Sequence, residues 1–396
     1  MGRLVAFCVG TMCVGGWVFG SAAVRGAEEP APSSPKPEAE AKVTPADPLL
    51  EKVAKAIAIT RRRQLTAGVH TPWQVVHGIL ALRQDFMLKK PEGGEISGID
   101  WMASGVLHDG QNIFEVTPYG GRGHTFTKPY AFEGHPTQFM GYMAMCDLPL
   151  DFEFKANDGK TITVADIIND AKMQVREGPE ITWTLWALAH YLPPDAEWTN
   201  AAGEHWSIER LVQIQNRESV LTGACGGTHG LFALAYARNR YIQARKPLRG
   251  PWIEADQKVK RFIQEAKTLQ NTDGSFSSAY FRGPQFSTDF ATRLPANGHL
   301  LEWLMVALPQ SELKQEWVRR GVESVATDLI ENRKTPVDCG PLYHALHGLI
   351  LYDYRVNPNA SARPYGRPVM AKREVSAQKS IENNGEKATE PARETT

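Results

Sequence analysis

The sequence predicts an all-α protein whose helices repeat as hairpins about one axis, an (α/α)6 toroid. Three observations carry that reading. A short apolar pattern recurs six times, amphipathic segments alternate with its occurrences, and both ends of the chain are too polar to join a core.

The recurring pattern is a lead residue, a small or spacer residue, two large apolar residues, a position that is usually Ala, and one more apolar residue. Repeats at a fixed spacing are the first signature to seek in a long chain. His77 and Gly78 lead Ile79 to Leu82, Met140 and Gly141 lead Tyr142 to Met145, and Trp183 and Thr184 lead Leu185 to Leu188. His229 and Gly230 lead Leu231 to Leu234, Trp303 and Leu304 lead Met305 to Leu308, and His347 and Gly348 lead Leu349 to Tyr352. Segments apolar nearly all round are buried helices, so these are the expected inner helices. Glycine inside a helix costs about 1 kcal/mol against Ala, and its recurrence here fits close approach between neighbouring helices.

Between them lie segments with charge on one face: Leu50 to Thr60, Val164 to Val175, Ile208 to Gln215, Trp252 to Leu269 and Leu313 to Ile330. This amphipathic pattern marks the outer helices. The second outer helix is the weakest, because Lys89 to Glu133 offers only a short candidate near Trp101 to Val106. One buried and one half-exposed helix per repeat predicts a double-walled ring.

The ends read differently. Arg3 precedes an apolar run from Leu4 to Phe19, and small residues lead on to Ala27 before Glu28. Residues 1–27 are therefore expected to be a cleaved export signal, giving a secreted or periplasmic address without a stable transmembrane span; the competing reading is a retained N-terminal membrane anchor. Residues 28–47 form a Pro/Ala/Glu-rich linker and residues 356–396 a polar tail, both with too little apolar surface to offset the entropy of ordering. The expected toroid domain spans 48–355. Of five cysteines, Cys8 and Cys13 leave with the signal, so Cys146, Cys225 and Cys339 allow one bridge at most.

Forty-four basic residues balance 44 acidic ones, a formal net charge of +0. That balance gives no broad attraction for nucleic acid, which is set aside as a partner.

If each outer helix feeds the next inner one, the inner N-termini gather at one end, and their dipoles favour anions there. Two long connections reach this end, one ending in Gly120 to His124 before Glu133, the other running from Asn271 to Pro295; long loops of this kind are lid or substrate-site candidates. Residues three, four and seven before each lead share its face. That places His70 and Trp73 with His77, Glu133 near Met140, and Glu180 near Trp183; it also sets Cys225 below His229, His299 below Trp303, and His344 below His347. A ligand-binding mouth is expected from His70, Trp73, His77, His135, Trp183, Trp303 and His347. Cys225 and His229, one helical turn apart, with His299 and His344 on the next two inner helices, form a candidate zinc site of thiolate and imidazoles. A second constellation is acidic: Asp289, Glu133 and Glu180 near aromatic residues is what acid–base chemistry on sugars uses, so these are the candidate catalytic groups.

The segment Lys260 to Phe276 ends in Gln270, Asp273, Gly274 and Phe276. It resembles the repeat of the squalene/terpenoid cyclase and protein prenyltransferase superfamily, in which a helix ends in Gln before a Gly-x-aromatic turn. Phe276 stands where Trp is usual. Tyr343 and His344, followed by Gly348 and Leu349, also resemble the helix start that supplies the histidine zinc ligand in protein prenyltransferases. The prenyltransferase Asp-x-Cys pair is absent, since Gly223 and Ala224 precede Cys225, and no Asp-x-Asp-Asp of the cyclases occurs. The resemblance implies the fold, not the activity. The expected function is that of an exported terpenoid-cyclase-like toroid whose His/Cys-containing mouth pocket binds or processes a ligand. The alternatives are a glycan-active lyase or hydrolase and a non-catalytic binding or scaffold module.

Overall fold

The computed structural model describes residues 47–125, 130–178 and 180–357. The expected signal, nearly all of the linker and nearly all of the tail lie outside the described residues. The described chain is mostly helical, with twelve α-helices and ten short strands.

Even-numbered helices carry the six apolar patterns: α2 (Pro72–Leu82), α4 (Gln138–Met143), α6 (Thr182–Tyr191), α8 (Thr228–Gln243), α10 (Phe290–Ala307) and α12 (Cys339–Val356). All six residues of α4, eight of the ten in α6 and thirteen of the eighteen in α10 are buried. The odd-numbered helices are α1 (Pro48–Arg61), α3 (Gly98–Ala103), α5 (Val164–Gln174), α7 (Ile208–Arg217), α9 (Pro251–Thr268) and α11 (Glu316–Glu331), the longer ones with an exposed polar face. Among the even helices, α2 packs on α4, α4 on α6, α6 on α8, α8 on α10, α10 on α12, and α12 on α2. The odd helices pack behind them, α5 against α6, α7 against α8 and α9, and α11 against α10 and α12. No described helix is long and apolar enough to cross a membrane.

Local signals explain the helix starts. Asp47, assigned to the linker from sequence, caps α1 by accepting from the Leu49 N–H at 3.0 Å, and both its oxygens bind Arg319 of α11. Thr71 and Gln74 form a reciprocal capping box ahead of α2. The turn after α9 makes the contacts its residues predict: the Gln270 amide donates to the carbonyls of Gly274 and Trp317 at 2.9 and 2.8 Å, and Phe276 lies buried against α11 at Gly321.

The mostly helical character agrees with the expected all-α class, with five short two-stranded antiparallel hairpins set between the helices. Three of them, β1–β2 (Met87–Lys89, Glu95–Ser97), β7–β8 (Glu153–Lys155, Thr161–Thr163) and β9–β10 (Glu197–Thr199, His205–Ser207), run straight into α3, α5 and α7. Their last residues, Ser97, Thr163 and Ser207, are the helix N-caps. The two long connections differ from expectation. The other two hairpins, β3–β4 (Leu107–His108, Gln111–Asn112) and β5–β6 (Phe114–Thr117, Gly120–Gly123), fill much of the stretch before Glu133 that reads as a long loop. The second long connection ends at Asp289, not Pro295, because Asp289 caps α10 and the helix runs through Pro295.

Close approach is sharpest between α10 and α12. A Cβ on Gly298 would lie 2.8 Å from the Ala345 nitrogen, and one on Gly348 would lie 3.0 Å from the Glu302 nitrogen. Only glycine lets these two backbones meet so tightly.

Candidate functional site

A cavity of about 630 Å3 is bordered by α2, α4, α8, α10 and α12. Seven of the predicted residues line it: Trp73, His77, His135, Cys225, His229, His299 and His344. Cys225, His229 and His299 converge so that their ligand atoms all lie within 4.8 Å of one another. One zinc ion, bound at ~2.0 Å by nitrogen and ~2.3 Å by sulfur, is within reach of all three after small side-chain shifts. His344 stands beside this set, its ring 3.9 Å from that of His299 and 5.2 Å from that of His229.

The hydrogen bonds fix which nitrogens are free. His77 Nδ1 lies 2.6 Å from the Trp73 carbonyl, and His299 Nδ1 lies 2.7 Å from the Pro295 carbonyl. A carbonyl only accepts, so Nδ1 carries the proton in both rings and Nε2 presents a lone pair. His344 Nδ1 meets the Glu302 carboxylate at 2.7 Å, and His347 Nδ1 meets its other oxygen at 2.6 Å. The buried Nε2 atoms of His344 and His347 and both ring nitrogens of His229 have no hydrogen-bond partner among the described residues. A carboxylate behind an imidazole, with the far nitrogen turned to a cavity, is how proteins orient metal-binding histidines.

Burial sets the protonation states. It pushes His77 down to about 3, with His344 adding to the effect. It also holds His229 and His299 well below the usual imidazole range, with the neighbouring histidines reinforcing it. Burial raises the Cys225 thiol to about 12, so metal binding must displace its proton. Glu302 is the exception: burial pushes it up, yet its bonds to His344 and His347 hold it below the ordinary carboxylate range. A buried anion held by imidazoles invites a cation nearby.

Backbone strain gathers here. Tyr130, Cys225 and Tyr280 line the cavity and adopt left-handed φ values of 60°, 49° and 56°. Such conformations persist where surrounding structure holds them, often at functional sites. Cys225 therefore reaches His229 from a left-handed turn ahead of α8, not from one helical turn below it as the spacing predicts.

The remaining predicted residues are placed otherwise. Glu133 and Glu180 share a second cavity of about 360 Å3, which meets the first at Gly134 and His135. There Glu180 holds His135 at 2.6 Å, and the His135 ring stacks on Trp183 at 4.1 Å. Burial raises Glu133 to about 8, although it accepts from the Phe139 N–H at 2.7 Å. Trp183, Trp303 and His347 are buried behind the cavity wall. His70 lies before α2, with Nδ1 2.9 Å from the Thr66 nitrogen, and does not border the cavity. Asp289 spends its carboxylate on the Thr292 N–H and hydroxyl at the exposed start of α10. Cys146, Cys225 and Cys339 are all free thiols.

Sequence reasoning missed Glu302, Tyr142 and Gln138. Glu302 has a legible signal: it is the one carboxylate in the apolar run from Ala296 to Leu308, three residues after His299 and on the same face. Comparison with known proteins finds no matching family model, no matching curated protein and no matching solved structure.

Proposed function

We propose that residues 48–355 form an (α/α)6 toroid of the terpenoid-cyclase-like type, whose central cavity holds a zinc ion on Cys225, His229 and His299 and uses it to bind and process a small ligand. The cyclic succession of contacts among the even helices, with odd helices behind them, supports the toroid. The observation that carries the metal reading is the convergence of one thiol and two imidazoles beside an imidazole backed by Glu302. Three protein ligands facing a cavity leave a coordination position for water or substrate, the arrangement of catalytic rather than structural zinc. Bound there, the ion supplies Lewis-acid polarisation of a ligand oxygen. His344 Nε2, turned inward by Glu302, is the group placed to accept or return a proton. Tyr130, Trp73 and Tyr280 supply aromatic surface around the ligand.

The described lining has one carboxylate, Asp338, and no Lys or Arg. With no Lys or Arg to share the charge of a diphosphate, a ligand oxygen would meet only the metal ion, which suits a ligand with a single carbonyl, hydroxyl or carboxylate group. A glycan-active site has less support, since Asp289 caps a helix while Glu133 and Glu180 line a separate cavity. The scaffold reading has less support still, because both ring nitrogens of His229 and the Nε2 of His344, on the cavity wall, have no hydrogen-bond partner among the described residues.

Metal analysis of the full chain purified without chelator tests this. We expect about one zinc per chain, lost on His229→Ala with more than ~100-fold weaker binding, and a lower melting temperature on chelation. Absence of bound metal at saturating zinc, with melting unchanged by chelator, would sink the proposal.

A further inference from the structure

The ligand cysteine is not carried by a helix. Cys225 lies on the connection from α7 to α8, and with Gly226 (φ 63°) and Gly227 (φ 74°) it makes three successive left-handed residues. That conformation is unfavourable for a residue with a side chain and needs external support. In front, the Tyr280 ring covers Gly226, where a Cβ would lie 2.2 Å from it. Behind, a further cavity of about 260 Å3 is bordered by Gly223, Ala224, Gly227 and Lys258, and Ala224 also borders the central cavity. The connection carrying Cys225 is thus a thin wall with room behind it.

Its base is fastened by one side chain. Lys258 reaches from α9, buried, and its ammonium donates to the carbonyls of Gln215 at 3.1 Å, Asn216 at 2.9 Å and Glu218 at 2.7 Å. Gln215 and Asn216 are among the last carbonyls of α7, which lack helical partners, and Glu218 opens the connection. A cation also suits the negative end of that helix. All three ammonium protons are used on the segment leading to Cys225.

We infer that Lys258 is a positioning residue for the metal centre: it never touches the ion but holds the connection so that the Cys225 thiol faces His229 and His299. This rests on the zinc reading above. Burial lowers the Lys258 pKa to about 8, with Arg261 adding to the fall and Glu218 opposing it.

The test is Lys258→Met in the full chain, which keeps the apolar stem and removes the donors, read in two ways. In metal-free protein, the alkylation rate of Cys225 is followed by peptide mapping, with buried Cys146 as an internal reference for global opening. We expect Cys225 to react about tenfold faster while Cys146 is unchanged. In cobalt(II)-loaded protein, the thiolate-to-cobalt absorption is expected to weaken and metal affinity to fall about tenfold, with Lys258→Arg restoring part of both. Unchanged Cys225 alkylation together with an unchanged thiolate band would overturn the inference and leave the metal centre standing. Should the wild type show no cobalt band while Cys225 reactivity still rises in the variant, the metal reading fails and the positioning of the thiol stands.

Discussion

Residues 48–191 and residues 208–356 build their helical pairs differently. In the first part, hairpins introduce α3 and α5, and α3 and α4 are six residues each, whereas in the second only α7 follows a hairpin. From α8 onward the helices run 16 to 18 residues. The converging side chains Cys225, His229 and His299, proposed to hold the metal, together with Glu302 and His344, all come from the second part. The first part supplies surfaces: Trp73, His77 and Tyr142 face the cavity, and Glu133 and Glu180 line the neighbouring one. Long helices locked along a glycine-lined contact hold angles well enough to aim imidazoles, whereas short helices joined by hairpins form walls.

The strongest way to break this comparison is at Glu302. Removing one member of a buried hydrogen-bonded charge set costs about 3–5 kcal/mol, so Glu302→Ala is expected to lose that much stability in denaturant unfolding and to lose bound zinc. Glu302→Gln keeps the shape and some hydrogen bonding but removes the buried negative charge beside the proposed cation, and should retain the fold while weakening zinc binding about tenfold. If Glu302→Gln bound zinc as tightly as wild type, the long-helix half would be stable without being tuned for metal.

The same contrast governs what could be read from sequence. The six apolar patterns fall in or at the ends of helices, and it was their recurrence between amphipathic helical segments, not the apolar runs themselves, that favoured helix over buried strand. The hairpins were invisible because strands of two to four residues are too short to show a period of two. Their turn signals, Gly93-Gly94 and Asn157-Asp158-Gly159, were nonetheless present. For Cys225 the spacing to His229 named the right partner through the wrong backbone; the pair Gly226-Gly227 was the clue that a left-handed turn, not a helix, precedes Thr228. Face counting failed for His70 because α2 begins at Pro72, so the residue falls outside the helix whose face was being extended. Glu302 falls outside the pattern because it stands one residue before the lead Trp303, not three, four or seven.

A second prediction probes the first part of the chain through Glu133. Its folded pKa, raised by burial to about 8, lies above the ordinary unfolded value, so between roughly pH 4.5 and pH 8 the folded state binds the extra proton. The stability tied to that proton is fully present below the unfolded pKa and is lost as pH rises through about 8. Glu133→Gln mimics the protonated acid and keeps an oxygen for the Phe139 N–H. Its unfolding free energy should match wild type near pH 4.5 and exceed it near pH 8 by about 4 kcal/mol, with zinc content unchanged. Parallel pH profiles for the two proteins would remove Glu133 as a buried neutral acid.

The smallest effect is expected at Asp289, and it marks where the long-helix half stops mattering to the site. Asp289 accepts from the Thr292 N–H at 2.8 Å and the Thr292 hydroxyl at 2.6 Å, and these bonds, with the hydroxyl the larger influence, hold its carboxyl below the usual range. Its contacts are those of an N-cap at the exposed start of α10, ten residues before His299, or ~15 Å along the axis. Asp289→Ala should therefore fray the first turn and lower the melting temperature by about 1–3 °C, with Asp289→Asn restoring it. Bound zinc should stay the same, because Arg293 pairs with Asp328 of α11 and Gly298 packs on Ala345 and Pro341 of α12 before His299 is reached. A loss of metal on Asp289→Ala would mean that the orientation of His299 is set from the helix start, and the division between wall and aiming helices would have to be redrawn inside α10 itself.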